Sequence, residues 1–102
     1  MEGTKFDDHK VQVARGVLHY FPRAIEYVAR VSQFGSKKYA WDNWRHLDEG
    51  LQRYTDADAR HFIQESYEEN DIDSGLLHAG HHAWNALARL ELLLTPENNN
   101  DG

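Results

Sequence analysis

Apolar side chains recur at helical spacing in three stretches of this chain, and no stretch of useful length alternates as a strand would. From Phe21 onward, Ala24, Val28, Val31 and Gly35 share one stripe and Pro22 suits a first helical turn, which predicts a helix over 21–39. A weaker stripe of Leu51, Tyr54, Ala59, Phe62 and Ile63 predicts a second helix over 51–69. The third is the clearest. Leu76, Gly80, Ala83, Leu87, Leu90 and Leu94 keep to one stripe until Thr95-Pro96, which predicts a helix over 74–94 with Asp73 or Ser74 capping its first turn. Residues 40–50 hold two tryptophans, several turn formers and no period, and read as a structured loop. Residues 1–12 are charged and aperiodic, a polar arm, and 95–102 form a polar tail that should fray. Helices packed on helices are the economical architecture: an all-α single domain over 1–102, a small bundle of about three main helices.

Composition narrows this picture. A chain of 102 residues, 40% of them hydrophobic, supports one core and not two domains. Three helices bury limited apolar area, so a homo-oligomer is expected, a dimer or tetramer in which an exposed stripe of the first or third helix pairs across a two-fold axis. With no cysteine, disulfides and thiolate chemistry are excluded, and a reducing cytoplasm is the natural setting. No run approaches the roughly 18 apolar residues that a membrane span needs, and the start is polar, unlike a signal peptide. Seventeen acidic residues against eleven basic ones give a net charge of −6, which argues against direct binding of nucleic acid. An anionic ligand would need a local basic pocket or a bridging cation.

Three groups of residues carry possible chemistry. On the third helix His78, His81, His82, Asn85 and Arg89 occupy one broad polar sector at steps of three, four and seven, so several imidazoles point the same way. A His-x-x-His pair on one face can bind a divalent metal if a neighbouring helix adds a carboxylate; the same residues also suit a solvated, hydrogen-bonded face. On the second helix Asp58, His61, Glu65 and Glu68 or Glu69 follow at similar steps. Facing the third helix, they would complete a cage for Mg²⁺ or Mn²⁺; facing water, they would be a solubilising edge. The third group is Lys37, Lys38 and Arg45 beside Tyr39, Trp41, Asn43 and Trp44, which offers cations for phosphates, rings for stacking and an amide for a base edge, or else aromatic plugs for the end of a bundle. A glycine-rich phosphate loop, a Gly-x-Ser-x-Gly elbow and a His-Glu-x-x-His motif are all missing.

Taken in order, Val28-Ala-Arg-Val-Ser-Gln-Phe-Gly-Ser-Lys-Lys-Tyr39, Asn43-Trp-Arg45, Tyr54-x-Asp56-Ala-x-x-Arg60-His61, Asp71-Ile-Asp-Ser-Gly75 and His78-x-x-His81-x-x-x-Asn85-Ala-Leu87 resemble the phage dATP/dGTP diphosphohydrolase N-terminal-domain family. Lys5-Phe-Asp-Asp8 looks like its usual opening, and the resemblance extends from Lys5 to about Leu94. It implies hydrolysis of purine deoxynucleoside triphosphates to monophosphate and pyrophosphate, and a looser kinship with the all-α MazG-type pyrophosphohydrolases, in which acidic metal ligands sit on two adjacent helices and oligomers complete the site. It also implies roles. Lys37, Lys38 and Arg45 would hold phosphates, and Asn43 and Trp44 would shape the pocket. His61, Glu65, Glu69, His78 and His81 would surround the metal, with Asn85 beside them. Glu69 or Asp73 would orient the water, and a neutral histidine such as His78 would take its proton.

Two departures from the family pattern fall where metal-binding carboxylates are expected: Glu68-Glu69-Asn70 stands for a Gly-Glu pair, and Asp73-Ser-Gly75 for a Glu-Ser-Gly triplet. They support a second expectation, a catalytically inactive phage protein that contacts a host protein through its acidic helical surface. The hydrolase expectation depends on the acidic edge of the second helix facing the imidazole edge of the third.

Overall fold

The computed structural model describes residues 10–96; residues 1–9 of the expected arm and 97–102 of the expected tail lie outside the described part. Three α-helices dominate it: α1 over Pro22–Tyr39, α2 over Gly50–Gln64 and α3 over His78–Leu94. A π-helical segment, Ala14–Leu18, precedes α1, and a 3₁₀ turn, Asn43–His46, lies in the tryptophan loop. Among the described residues there is no strand, only a single antiparallel bridge between Asn70 and Leu77. No helix among them is long and apolar enough to cross a membrane.

Helix α3 is the spine, packing along α2 on one side and against α1 on the other. The contact with α1 depends on close approach at Gly80, where an added Cβ would lie 2.7 Å from Tyr27 Cε1 and 3.4 Å from Val31 Cγ2. The Tyr27 hydroxyl accepts a hydrogen bond from the Leu77 N–H (2.8 Å) and so satisfies one of the open donors ahead of α3. The small core joins Tyr54 of α2 to Ala88 and Leu92 of α3, with Trp44, Leu47, Leu51 and Trp84 around it.

Two helix boundaries differ from expectation, and local hydrogen bonds explain both. Helix α2 ends at Gln64, not 69, because the Ser66 and Tyr67 N–H groups turn back onto the Ile63 and Gln64 carbonyls in tight i, i+3 bonds. Helix α3 starts at His78, not 74. Gly75 adopts φ +75°, which the helix cannot contain, and the Asp71 carboxylate accepts from the N–H groups of Asp73 (3.1 Å) and Ser74 (2.9 Å). The turn at 70–77 therefore uses its Asn70 and Asp71 side chains internally, and Leu77 stands at the N-cap without a side-chain cap.

The stripe that marks α3 in the sequence is also not the one it buries. Its inner face is His78, His81, Asn85, Ala88 and Leu92, a run of steps of three and four, whereas Leu87 and Leu90 are 50% exposed and Leu94 is 70% exposed. Ala79, Ala86, Leu87, Leu90 and Leu94 leave an uncharged outward face.

Two glycine substitutions should move stability in opposite directions. Gly80→Ala drives a methyl into Tyr27 and should cost about 1–3 kcal/mol despite the better helix propensity of alanine. Gly35→Ala, with nothing within 4 Å, should gain up to about 1 kcal/mol. Thermal denaturation of both variants measures this; an unchanged melting temperature for Gly80→Ala would remove the close approach from the account of the fold.

Candidate functional site

The packing of α2 on α3 is built around imidazoles. His61 sits two turns beyond Tyr54 on the buried face of α2, which brings its Nδ1 to 2.9 Å from Nδ1 of His78. Its ring stacks on that of His81, with centroids 4.7 Å apart and planes 15° apart. His78 is 1% exposed, and its Nε2 lies 3.1 Å from Glu68 Oε1. A carboxylate can only accept, so Nε2 of His78 carries the proton; its Nδ1 then accepts from the Nδ1–H of His61, and Nε2 of His61 keeps a lone pair. The third ring pairs its Nε2 with the Ser74 hydroxyl at 2.6 Å. Among the described residues no buried side-chain polar atom lacks a partner, as a core made of imidazoles requires.

Burial governs the charges here. It pushes His61 down to about 4, helped by repulsion from His81 once that ring is protonated and from the Arg60 cation, and it also lowers His81, against the opposing pull of Asp71. Both rings are thus neutral at neutral pH. Burial alone would raise Asp71, but the Ser74 N–H bond and the His81 charge outweigh it and leave the carboxyl below its ordinary value. Donor atoms of His61, Asp71 and His78 all lie within 4.8 Å of one another, a grouping of two imidazoles and one carboxylate that can hold a divalent cation.

Of the five residues expected around a metal, the structure gathers His61, His78 and His81 and leaves Glu65 and Glu69 exposed. The tight turn after Glu65 takes Glu69 out of helical phase, whereas Glu65 ends the helix in helical backbone and still faces water. Glu68 and Asp71 supply the nearby carboxylates instead, while Glu69 contributes its backbone carbonyl, which accepts from the His78 N–H at 3.0 Å. Asp71 was recognisable in the sequence as the first residue of an Asp-x-x-Ser turn, but a turn residue gives no direction for its carboxylate. Asp73, expected at the reacting water, forms an exposed ion pair with Lys38 at 2.9 Å; that hydrogen bond raises the Lys38 ammonium above its ordinary value, with Tyr39 adding to it.

Beside this cluster a groove of about 740 Å³ opens between α1 and α2, with α3 as its floor. His61, Asp71 and His81 line one end. Toward the other end Trp44, Tyr54 and Trp84 meet edge to face, and Tyr54, whose hydroxyl donates to the Trp44 carbonyl (2.8 Å), is pushed up to about 12 by burial. Lys38, Asn43 and Trp44, expected at a substrate, line the groove. The other two expected cations do not: Lys37 lines a separate recess with Arg30, and Arg45 lies with its guanidinium 5.2 Å from the Trp44 ring centre. Consecutive residues of a helix point about 100° apart, which is why Lys37 and Lys38 part company. The groove is lined as well by Trp41, one of the rings expected for stacking, and by Arg53 and Arg60, to which the sequence alone assigned no role; the seven-residue step between the two arginines was the available signal.

The whole chain, residues 1–102, matches the model of a family described as dATP/dGTP diphosphohydrolase, N-terminal. No curated protein and no solved structure matches it.

The depressed His61 and His81 make stability depend on pH. The unfolded chain binds protons at these rings below about 6.5 and the folded chain does not, so stability is full above pH 6.5 and is lost as pH falls toward about 4. His61 alone contributes on the order of 3 kcal/mol to that loss. Urea denaturation in EDTA between pH 7.5 and 4.5 measures it against His61→Gln, which should flatten the slope; equal slopes would show that the ring is not held neutral.

Proposed function

The chain belongs to the dATP/dGTP diphosphohydrolase N-terminal family, and from that premise we propose that it hydrolyses purine deoxynucleoside triphosphates to the monophosphate and pyrophosphate, in the nucleotide metabolism of a phage within its host's cytoplasm. The observation that carries this reading is one groove with stacking rings toward one end, cations along its walls and, at the other end, His61 and Asp71, whose donor atoms group with those of the buried His78 behind them.

In this reading Trp41 and Trp44 stack on the base and Asn43 meets its edge. His61, Asp71 and His78 hold a divalent cation, and their mixed nitrogen and oxygen donors fit Mn²⁺ better than Mg²⁺, which prefers oxygen throughout. That cation, when bound, neutralises phosphate charge and polarises the phosphorus. Asp73 orients the attacking water at the groove wall. His81, kept neutral by burial and lining the groove, accepts the water's proton. Glu68 acts one layer below, keeping the proton on Nε2 of His78 so that its Nδ1 can exchange the hydrogen bond with His61 for the cation.

A second copy of the chain covers the outward face of α3 in this reading. Leu87, Leu90 and Leu94, half-exposed or more in the single chain, form an uncharged strip that association would remove from water.

With Mn²⁺ present, dGTP or dATP should release pyrophosphate, and Asp71→Asn should slow the release on the order of 100-fold. No release from any common deoxynucleoside triphosphate, with Mn²⁺ or Mg²⁺, rejects the hydrolase. Sedimentation at micromolar concentration should give at least two chains per particle, reduced to one by Leu87→Glu with Leu90→Glu; a single-chain mass for the unsubstituted protein rules the assembly out.

A further inference from the structure

Every cation expected at the phosphates has another engagement or another position. Lys38 is tied to Asp73 at 2.9 Å, Arg45 lies over Trp44, and Lys37 lines the separate recess. Arg89 donates to Thr55 Oγ1 at 2.9 Å, outside the groove lining. Two guanidinium groups are left on the groove wall. We infer that Arg53 and Arg60 of α2 are the residues that bind the substrate's phosphate chain, with Arg60 at the end next to the His61 and Asp71 group. The inference rests on the nucleotide reading above for the identity of the substrate, but its recognition chemistry, paired guanidiniums on a polyphosphate, stands apart from turnover.

Geometry supports it. The two residues are seven apart, so they emerge from the same side of α2 with about 10 Å between them along the axis, and both line the groove. Among the described residues neither side chain forms an ion pair or a hydrogen bond, although both are exposed and flanked by acidic residues. The carboxylate between them, Asp56, accepts instead from Gln52 Nε2 at 3.1 Å. Arg60 directly precedes His61 in the chain, and its charge acts on that ring, so a phosphate held by Arg60 would lie within electrostatic reach of the imidazole cluster. A guanidinium presents two parallel N–H donors to a phosphate, a geometry the flexible ammonium of Lys38 does not offer. In a chain of net charge −6, the α2 wall of the groove carries two arginines, without ion pairs among the described residues, against the single carboxylate of Asp56, a local positive excess where an anionic ligand would lie.

Isothermal titration with inorganic tripolyphosphate, free of metal, tests the arginines separately from catalysis. Arg60→Gln should weaken binding at least tenfold, Arg53→Gln with Arg60→Gln further still, and Arg60→Lys should restore part of the loss. Arg30→Gln, which removes the same charge from the exposed pair with Glu26, should leave binding unchanged. Binding by the double variant within twofold of the unsubstituted chain, or no binding by the unsubstituted chain, overturns the inference. Turnover of dGTP is read in parallel. If the unsubstituted chain hydrolyses dGTP and the double variant keeps its KM and kcat, the arginine assignment fails and the hydrolase stands. If nothing is hydrolysed while tripolyphosphate binding follows the arginines, the hydrolase fails and the phosphate site stands.

Discussion

The contact between His61 and His78 is the constraint around which the rest of the molecule is arranged. Two imidazole nitrogens 2.9 Å apart inside a helix interface are tolerable only if one donates and the other accepts, and that order is set from outside by Glu68 on the second ring. Glu68 reaches it because α2 stops at Gln64 and the chain turns back. The turn at 70–77 then closes through Asp71 and Gly75, which delivers both the Asp71 carboxylate and the Ser74 hydroxyl to the same cluster. Interfaces between helices are commonly sealed by aliphatic packing, whose directional demands are slight. This one has apolar packing at Tyr54, Ala88 and Leu92 and hydrogen bonds at the His61 end, so the register of α2 against α3 is specified in part by chemistry that also suits a cation.

Much of this was legible in the sequence. The three helices follow from periodicity, and α1 carries the same bounds to within a residue because Pro22 opens it and no competing turn lies inside it. The family was legible from the order of five short motifs. The inner face of α3 was not. A hydropathy pattern ranks leucine above histidine, and by that rule Leu87, Leu90 and Leu94 belong inside; what inverts the rule is a set of mutually satisfied imidazoles, and mutual satisfaction is a property of two helices that neither shows alone. The carboxylates were misplaced for a related reason. Extending helical phase to Glu69 assumes that the helix continues, while the tight turn closed by the Ser66 and Tyr67 N–H groups resets the directions beyond it; Glu65 keeps helical backbone and is exposed all the same.

The groove has a direction, and the chain's order of elements produces it. The tryptophan loop joins the end of α1 to the start of α2, so its rings lie beside Tyr54 near the first turns of α2, and His61 follows two turns later. Ala40 at φ +88° and Glu49 at φ +55° bracket this loop, both in left-handed backbone that side chains other than glycine seldom adopt. Helix propensity and turn chemistry do not account for these two residues; the packing of Trp44 on Tyr54 and Trp84 offsets their cost.

One rod, α3, bears imidazoles along its inner side and bare leucines along its outer side. Because a packed helix moves as a unit, any partner that settles on the leucines and displaces α3 also displaces His78 and His81. In the proposed assembly, ion affinity and self-association would be thermodynamically linked: whatever free energy a bound ion adds to association, association adds to the binding of the ion.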